Sequence, residues 1–224
     1  MDQGPKSYWA EFLGTFTLCF IGQGAIGVQH LLGAGAGGLL PIAVAHGLAY
    51  ALMISALAAT SGGHFNPAVT FGFVVTGRVS WTSAITYWIS QLLGALAASF
   101  LLRSVLPGES GQATHWGVPM LGAGVTPTMG LMLEFVLTFL LVTSVWGTLV
   151  DEKAPRIGGF GVGLTLLMAM LVGGPLTGAA LNPARAFGSA CASGVWDNHW
   201  IYWIGPLLGG AAAARVYKQV VLRP

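Results

Sequence analysis

HFNPAV at His64–Val69 recurs as ALNPAR at Ala180–Arg185, and the two asparagines, Asn66 and Asn182, stand 116 residues apart. Glycines precede each copy: Gly62 and Gly63 in one, Gly173, Gly174 and Gly178 in the other. A short, mostly apolar run follows each, Pro67–Val75 and Pro183–Cys191. Asparagine is a favoured N-cap, and proline is at ease in the first helical turn, where its missing N–H costs no hydrogen bond. At about 1.5 Å per residue such a helix covers only about half a membrane. The spacing therefore predicts a loop and a half-helix in each place. Non-helical backbone survives at membrane depth only against protein or a water-lined cavity. A single Asn-Pro-Ala triplet is an ordinary capped turn, but two placed symmetrically in one chain are not.

The rest of the chain supplies the membrane context. Of 224 residues, 54% are hydrophobic and only 7% charged, with a mean hydropathy of +0.74. A soluble domain carries about a quarter charged residues, so these charges cannot cover a water-soluble globule. The net charge of +2 is too small and scattered for a nucleic-acid footprint. Two cysteines, Cys19 and Cys191, make neither a metal cluster nor a disulfide framework. A spanning helix needs about 20 residues. Six windows offer this: Trp9–Gln29, Leu39–Ala59, Ser83–Leu102, Thr128–Val150, Gly159–Val172 (short by apolar count) and Trp200–Tyr217.

A second echo fixes the repeat. AEFLGTF (Ala10–Phe16) in the first window matches LEFVLTF (Leu133–Phe139) in the fourth, so Glu11 and Glu134 hold equivalent places 123 residues apart. Each half has three spans, an odd number, so the second enters with opposite polarity and the repeat is inverted. The predicted fold is an all-α membrane protein with six transmembrane helices plus two re-entrant half-helices. It forms one channel domain, 1–224. Residues 1–104 and 127–224 are the half-repeats, joined by an extracellular connecting loop, 105–126. Seven basic residues (Lys6, Arg78, Lys153, Arg156, Arg215, Lys218 and Arg223) fall on one side and only Arg103 and Arg185 on the other. The positive-inside rule then places both termini in the cytoplasm. The short tails point to a microbial cell (inner) membrane.

Together AEFLGTF, SGGHFNPAVT (Ser61–Thr70), GGPLTGAALNPARAFG (Gly173–Gly188) and HWIYWIGP (His199–Pro206) resemble the aquaporin family of membrane channels, over nearly the whole chain. The resemblance implies a homotetramer with one pore per subunit and no cofactor. Ala186, Ala190, Tyr202 and Trp203 match the water-selective branch rather than the glycerol facilitators. The pore motifs are Asn66, Pro67, Ala68 and Asn182, Pro183, Ala184. By distance from them, the narrowest constriction falls to His46, Met170, Ala179 and Arg185. That set is similar to plant vacuolar-membrane aquaporins, some of which also pass ammonia, urea or hydrogen peroxide. Ser189 replaces a common proline and implies a looser outer end of the second half-helix.

These residues suit water in single file. An apolar wall avoids tight binding, while a few polar groups replace lost hydrogen bonds. Two helix N-termini, each about half a positive charge, would repel cations at the centre. Arg185 adds a second barrier, because a charge at membrane depth is functional by default. Glu11 and Glu134 have no nucleophile or metal site beside them, so no enzyme is expected. They are expected to accept hydrogen bonds from loop amides, with His64 and Gln91 in support. The alternatives are a broader pore that also admits ammonia, urea, hydrogen peroxide or glycerol, a membrane junction protein, and a secondary transporter. No carboxylate beside either break could couple a cation, which argues against the last. The partners expected are water, the lipid bilayer and further copies of the chain, with no nucleic acid.

Overall fold

The computed structural model describes residues 4–33, 37–155 and 157–222. Arg156 and Arg223, counted in the charge bias above, lie outside them. Every regular element among the described residues is helical. In the first half these are α1 (Pro5–Leu32), α2 (Leu39–Ser61), the half-helix α3 (Pro67–Val75) and α4 (Trp81–Val105). A short α5 (Gly108–Ala113) and a 3-10 turn (His115–Gly117) connect to the second half. There α6 (Pro127–Val145) runs on through a π-helical turn (Trp146–Val150), and α7 (Phe160–Thr177), the half-helix α8 (Pro183–Ser193) and α9 (Ile201–Val220) follow.

Three boundaries differ from the sequence reading. Gly173 and Gly174, expected in the re-entrant loop, close α7, whose αL cap is Gly178 (φ 80°). The mirror cap on α2 is Gly62 (φ 92°). Small residues in a membrane helix serve close packing, and Gly173 faces Leu137 and Ala179. The connecting segment is partly helical rather than a plain loop. Pro107 sets its entry, and Glu109 lies in the first turn of α5, where the dipole favours an acid. Among the described residues five helices are long and apolar enough to span a membrane. α9, the sixth expected span, is 20 residues long but is diluted by Arg215 and Lys218.

Packing in the first half recurs in the second: α1 lies on α2 and α4, and α6 on α7 and α9. α2 and α7 cross at Gly47 and Gly163, themselves 116 residues apart, and a β-carbon on either would strike the other's carbonyl oxygen. Each half-helix docks on the closing helix of the other half, α3 on α9 and α8 on α4. Their C-terminal carbonyls are met by cations from those helices. Lys218 Nζ donates to Thr76 O at 2.8 Å, and Arg103 Nη1 donates to Ala192 O at 2.7 Å. Cations are favoured at helix C-termini, so both residues complete the half-helices as well as carrying topological charge.

The outer surface is apolar, with Leu52, Ile89, Leu93, Val136, Leu164 and Met168 all exposed. Trp9 and Trp81 are 61% and 57% exposed near helix ends, as an interfacial aromatic belt requires. Glycine sets the closest helix contacts. A β-carbon at Gly94 of α4 would strike the Phe12 carbonyl oxygen of α1, and one at Gly209 of α9 would strike that of Phe135 in α6. Gly94→Ala and Gly209→Ala should each destabilise the fold by about 1–3 kcal/mol. Gly108→Ala, where the β-carbon meets nothing within 4 Å, should be silent. Midpoints of thermal unfolding in detergent would check this, and equal midpoints for all three would contradict the packing argument.

Candidate functional site

Two five-residue segments, 62–66 and 178–182, carry non-helical backbone into the protein centre, and only their end residues share hydrogen bonds with the flanking helices. Glu11 Oε1 accepts from Ser61 Oγ (2.7 Å) and the His64 N–H (3.0 Å), and Oε2 accepts from the Phe65 N–H (2.6 Å). Glu134 repeats this in the second half. Oε1 accepts from Thr177 Oγ1 (2.7 Å) and the Ala180 N–H (3.0 Å), and Oε2 from the Leu181 N–H (2.8 Å). Both carboxylates are fully buried, which is tolerable because these donors meet them. Two tyrosines close the pattern: Tyr87 donates to Ser61 O (2.8 Å) and Tyr202 to Thr177 O (3.0 Å).

The expected supports are present in the first half. Gln91 Nε2 donates to Glu11 Oε2 (2.7 Å) and to Thr70 Oγ1 (3.0 Å). His64 Nδ1 lies 3.1 Å from the same hydroxyl, and its ring packs on Phe73 at 4.3 Å between centroids. The repeat gives Gln91 no counterpart, because Pro206 holds that register.

Asn66 and Asn182 cap α3 and α8. Asn66 Oδ1 accepts from the Ala68 N–H at 2.8 Å, and Asn182 Oδ1 from those of Ala184 (2.9 Å) and Arg185 (3.3 Å). Their amide nitrogens cross between halves. Asn66 Nδ2 donates to Leu181 O (2.8 Å) and Asn182 Nδ2 to Phe65 O (2.9 Å). Pro67 and Pro183 occupy first-turn positions, and Ala68 and Ala184 are fully buried. The cross-bonds hold two helix N-termini face to face. A narrow lumen runs beside them, lined by Asn66, Asn182 and Arg185 with apolar Leu18, Leu141 and Leu166. Its free volume is about 10 Å³.

Beyond the lumen a vestibule of about 240 Å³ is bounded by Met170, Gly178 and Arg185 and, from the connecting segment, Thr114, Gly117, Val118, Pro119 and Met120. Arg185 Nη2 donates to Gly178 O at 3.2 Å, while its buried Nε and Nη1 have no protein partner among the described residues. His46 Nδ1 lies 2.8 Å from Ile42 O and must donate to it. In the neutral ring Nε2 is then an acceptor, and it too is buried without a protein partner. Met170 and Arg185 thus share the vestibule. Ala179 lies between two lining residues, Gly178 and Ala180, with its methyl near Gly173. Ser189 does not loosen α8. Its Oγ donates to Arg185 O (3.0 Å) and Ala186 O (3.1 Å), and the helix runs on to Ser193.

Sequence reasoning passed over Ser61 and Thr177, although they too stand 116 residues apart, and the tyrosine pair at 87 and 202. It also passed over Gly22, where a β-carbon would strike the His46 imidazole. His199 accepts from Trp203 Nε1 at 3.1 Å, and burial holds its pKa below the usual imidazole value.

Comparison with known proteins gives consistent matches. The family model "Major intrinsic protein" matches residues 3–217. The chain is 43% identical to "Probable aquaporin TIP3-2" of Arabidopsis thaliana, over 95% of this chain and 82% of that protein. It is 44% identical to "Aquaporin TIP4-4" of Zea mays, over 97% and 87%. The X-ray structure of the aquaglyceroporin from Plasmodium falciparum superposes with a TM-score of 0.85 at 26% identity, covering 96% of each chain. The two sequence relatives are plant proteins, which overturns the expectation of a microbial inner membrane. Tail length, on which that expectation rested, carries no information about the bilayer.

Glu134→Gln tests the carboxylate's role. An amide keeps one acceptor oxygen and turns its NH2 group toward a backbone N–H, donor against donor. The loss of a charge-assisted hydrogen bond should cost about 1.5–3 kcal/mol. The expected result is a lower unfolding midpoint and a reduced folded yield by size-exclusion chromatography. A wild-type midpoint would show that Glu134 does not hold the loop.

Proposed function

The chain belongs to the major intrinsic protein family and is a passive transmembrane channel of the aquaporin type, and from that premise we propose that it conducts water while excluding protons and ions. The observation that carries this is the pair of crossed bonds, Asn66 to Leu181 O and Asn182 to Phe65 O, beside a cavity of about 10 Å³, room for about one water. Each amide nitrogen spends one hydrogen on the crossing and keeps one for a passing oxygen. A water held by both asparagines points its hydrogens outward in both directions, which interrupts a proton wire. The converging N-termini of α3 and α8 add a positive field there. On this reading the two half-repeats 1–104 and 127–224, joined by 105–126, supply one Asn-Pro-Ala motif each, and the channel works as a homotetramer with one pore per chain.

We place the selectivity filter at His46, Met170, Ala179 and Arg185. Arg185 contributes donors through Nε and Nη1, and His46 an acceptor through Nε2. Water satisfies both kinds. Met170 is unbranched and adaptable and narrows the opening less rigidly than an aromatic ring. Ammonia can donate to the same His46 nitrogen, and we propose that it passes besides water. Ala186, Ala190, Tyr202 and Trp203 favour water over glycerol.

Stopped-flow light scattering of proteoliposomes should show rapid water flux and little glycerol flux, and comparable rates for the two would contradict the water assignment. Arg185→Val removes the guanidinium from a buried helix N-terminus, a place where structure alone disfavours a cation. Its water flux should persist while urea and proton leak rise several-fold, and no change in either leak would place Arg185 outside the filter.

A second variant tests the filter's solute range. His46→Phe combined with Met170→His exchanges the acceptor for an apolar ring and puts a polar ring opposite. The ratio of ammonia to water permeability should fall, read from internal alkalinisation and osmotic shrinkage of the same vesicles. An unchanged ratio, or no ammonia flux above empty vesicles in the native protein, would contradict the wider filter.

A further inference from the structure

At the membrane surface formed by the ends of α3 and α9, a cleft of about 510 Å³ opens between the two helices. Arg78, Arg215 and Lys218 line it with Thr76, Gln219 and Leu222, and no carboxylate is among its lining residues. α9 presents Arg215, Lys218 and Gln219 at positions i, i+3 and i+4, on one face. Two of the cations are fixed in place despite their exposure. Lys218 Nζ is tied to Thr76 O at 2.8 Å, and the Arg78 guanidinium lies over the Trp146 ring, 5.0 Å from its centroid. Trp146 is itself fully buried, between Phe73 and Tyr217. Arg78 therefore rests on a rigid aromatic floor with its N–H edge free to donate.

Helix C-termini favour cations, and that accounts for Lys218, whose charge is spent on the end of α3. It does not account for Arg78 and Arg215, whose guanidinium groups make no hydrogen bond or ion pair with the described residues. Asp151 and Glu152 line a neighbouring opening that shares Arg78 and Leu222 with the cleft. Asp151 is already engaged by the Lys153 N–H (2.9 Å) and the Tyr217 hydroxyl (3.1 Å). Val216, Val220 and Val221, at and just beyond the end of α9, are exposed apolar surface.

We propose that this cleft binds the phosphate monoester headgroup of an anionic lipid, gripped by Arg78 and Arg215 with Lys218 at its edge. Guanidinium edges match phosphate oxygens in pairs, and basic pockets between membrane helices suit phosphate-bearing headgroups. The site lies away from the pore and does not depend on which solute the pore conducts.

The test is lipid retention by the full chain in detergent, counted by native mass spectrometry. Short-chain phosphatidic acid should be held about tenfold more tightly than short-chain phosphatidylcholine. Arg78→Gln with Arg215→Gln should abolish that preference while leaving osmotic water flux unchanged. Arg78→Lys with Arg215→Lys should restore part of it. Should the glutamine pair fail to fold, Arg215→Gln alone, on the exposed face of α9, should still weaken the preference several-fold. Equal retention of the two lipids by the native chain, or undiminished retention by the glutamine variants, would overturn the proposal. Displacement of the lipid by equimolar inorganic phosphate would assign the cleft to free phosphate instead and overturn the lipid reading.

Discussion

Ten residues of non-helical backbone at the centre of a membrane protein constrain everything around them. Water that could satisfy their N–H groups is confined to one narrow file, so protein must do it. A neutral acceptor serves at most two donors well, whereas a carboxylate serves several with charge-assisted bonds. That is why a fully buried glutamate stands in α1 and another in α6, at the same register. Each gathers the hydroxyl at the end of the preceding helix and two successive loop amides. The bonds also hold Phe65 (φ 48°), Ala179 (φ 43°) and Leu181 (φ 51°) in the left-handed region, a conformation side chains resist. Phe65 and Leu181 are the residues whose carbonyls then receive the crossing asparagines. The strain and the crossing thus have one source.

Much of this was legible in the sequence. Paired Asn-Pro-Ala motifs after glycines specify caps and half-helices, and α3 ends at Val75 as the reading predicted. The paired glutamates specify loop support because a lone carboxylate in an apolar span must have donors. What escaped was of two kinds. Ser61, Thr177 and Tyr87 look like ordinary small or interfacial residues until the register of the repeat is laid over them. Gly173 and Gly174 are expected in the loop before the motif and Gly22 carries no expectation, whereas the use of all three here is to admit Leu137, Leu39 and His46. Pattern separates those two uses of glycine poorly, since both leave the same letter.

The halves are not equivalent, and the differences lie in how each spends its polar groups. The first half surrounds its loop with Gln91, Thr70 and His64, a network that spends its polar groups on the backbone. The second half has Pro206 in place of Gln91 and an arginine directly after its Asn-Pro-Ala. Arg185 spends only Nη2 on Gly178 O, leaving two buried nitrogens uncommitted. In a protein interior an uncommitted donor is a cost that structure alone would remove. Its persistence beside the lumen fits a group whose partner is in transit. The connecting segment reinforces the same asymmetry, because Thr114 to Met120 border the vestibule on the Arg185 side.

The electrostatics of the pore follow from how the half-helices are tied at both ends. Two helices of nine and eleven residues point their N-termini at the centre, while Lys218 and Arg103 meet their C-terminal carbonyls. Neutralising the negative end of a dipole leaves its positive end less compensated, so each cap also sharpens the central field. Arg185 adds a full charge one turn from that field, against the preference of the helix it sits on. Glu134 lies in the same half, but its oxygens are committed to Thr177, Ala180 and Leu181, none of which is a mobile cation. Among the described residues Asn66, Asn182 and Arg185 line the narrow length, each with a donor, and no carboxylate lines it. A fold that must bring broken helices into a bilayer lines its narrow length with donors through the bonds that keep those helices in place.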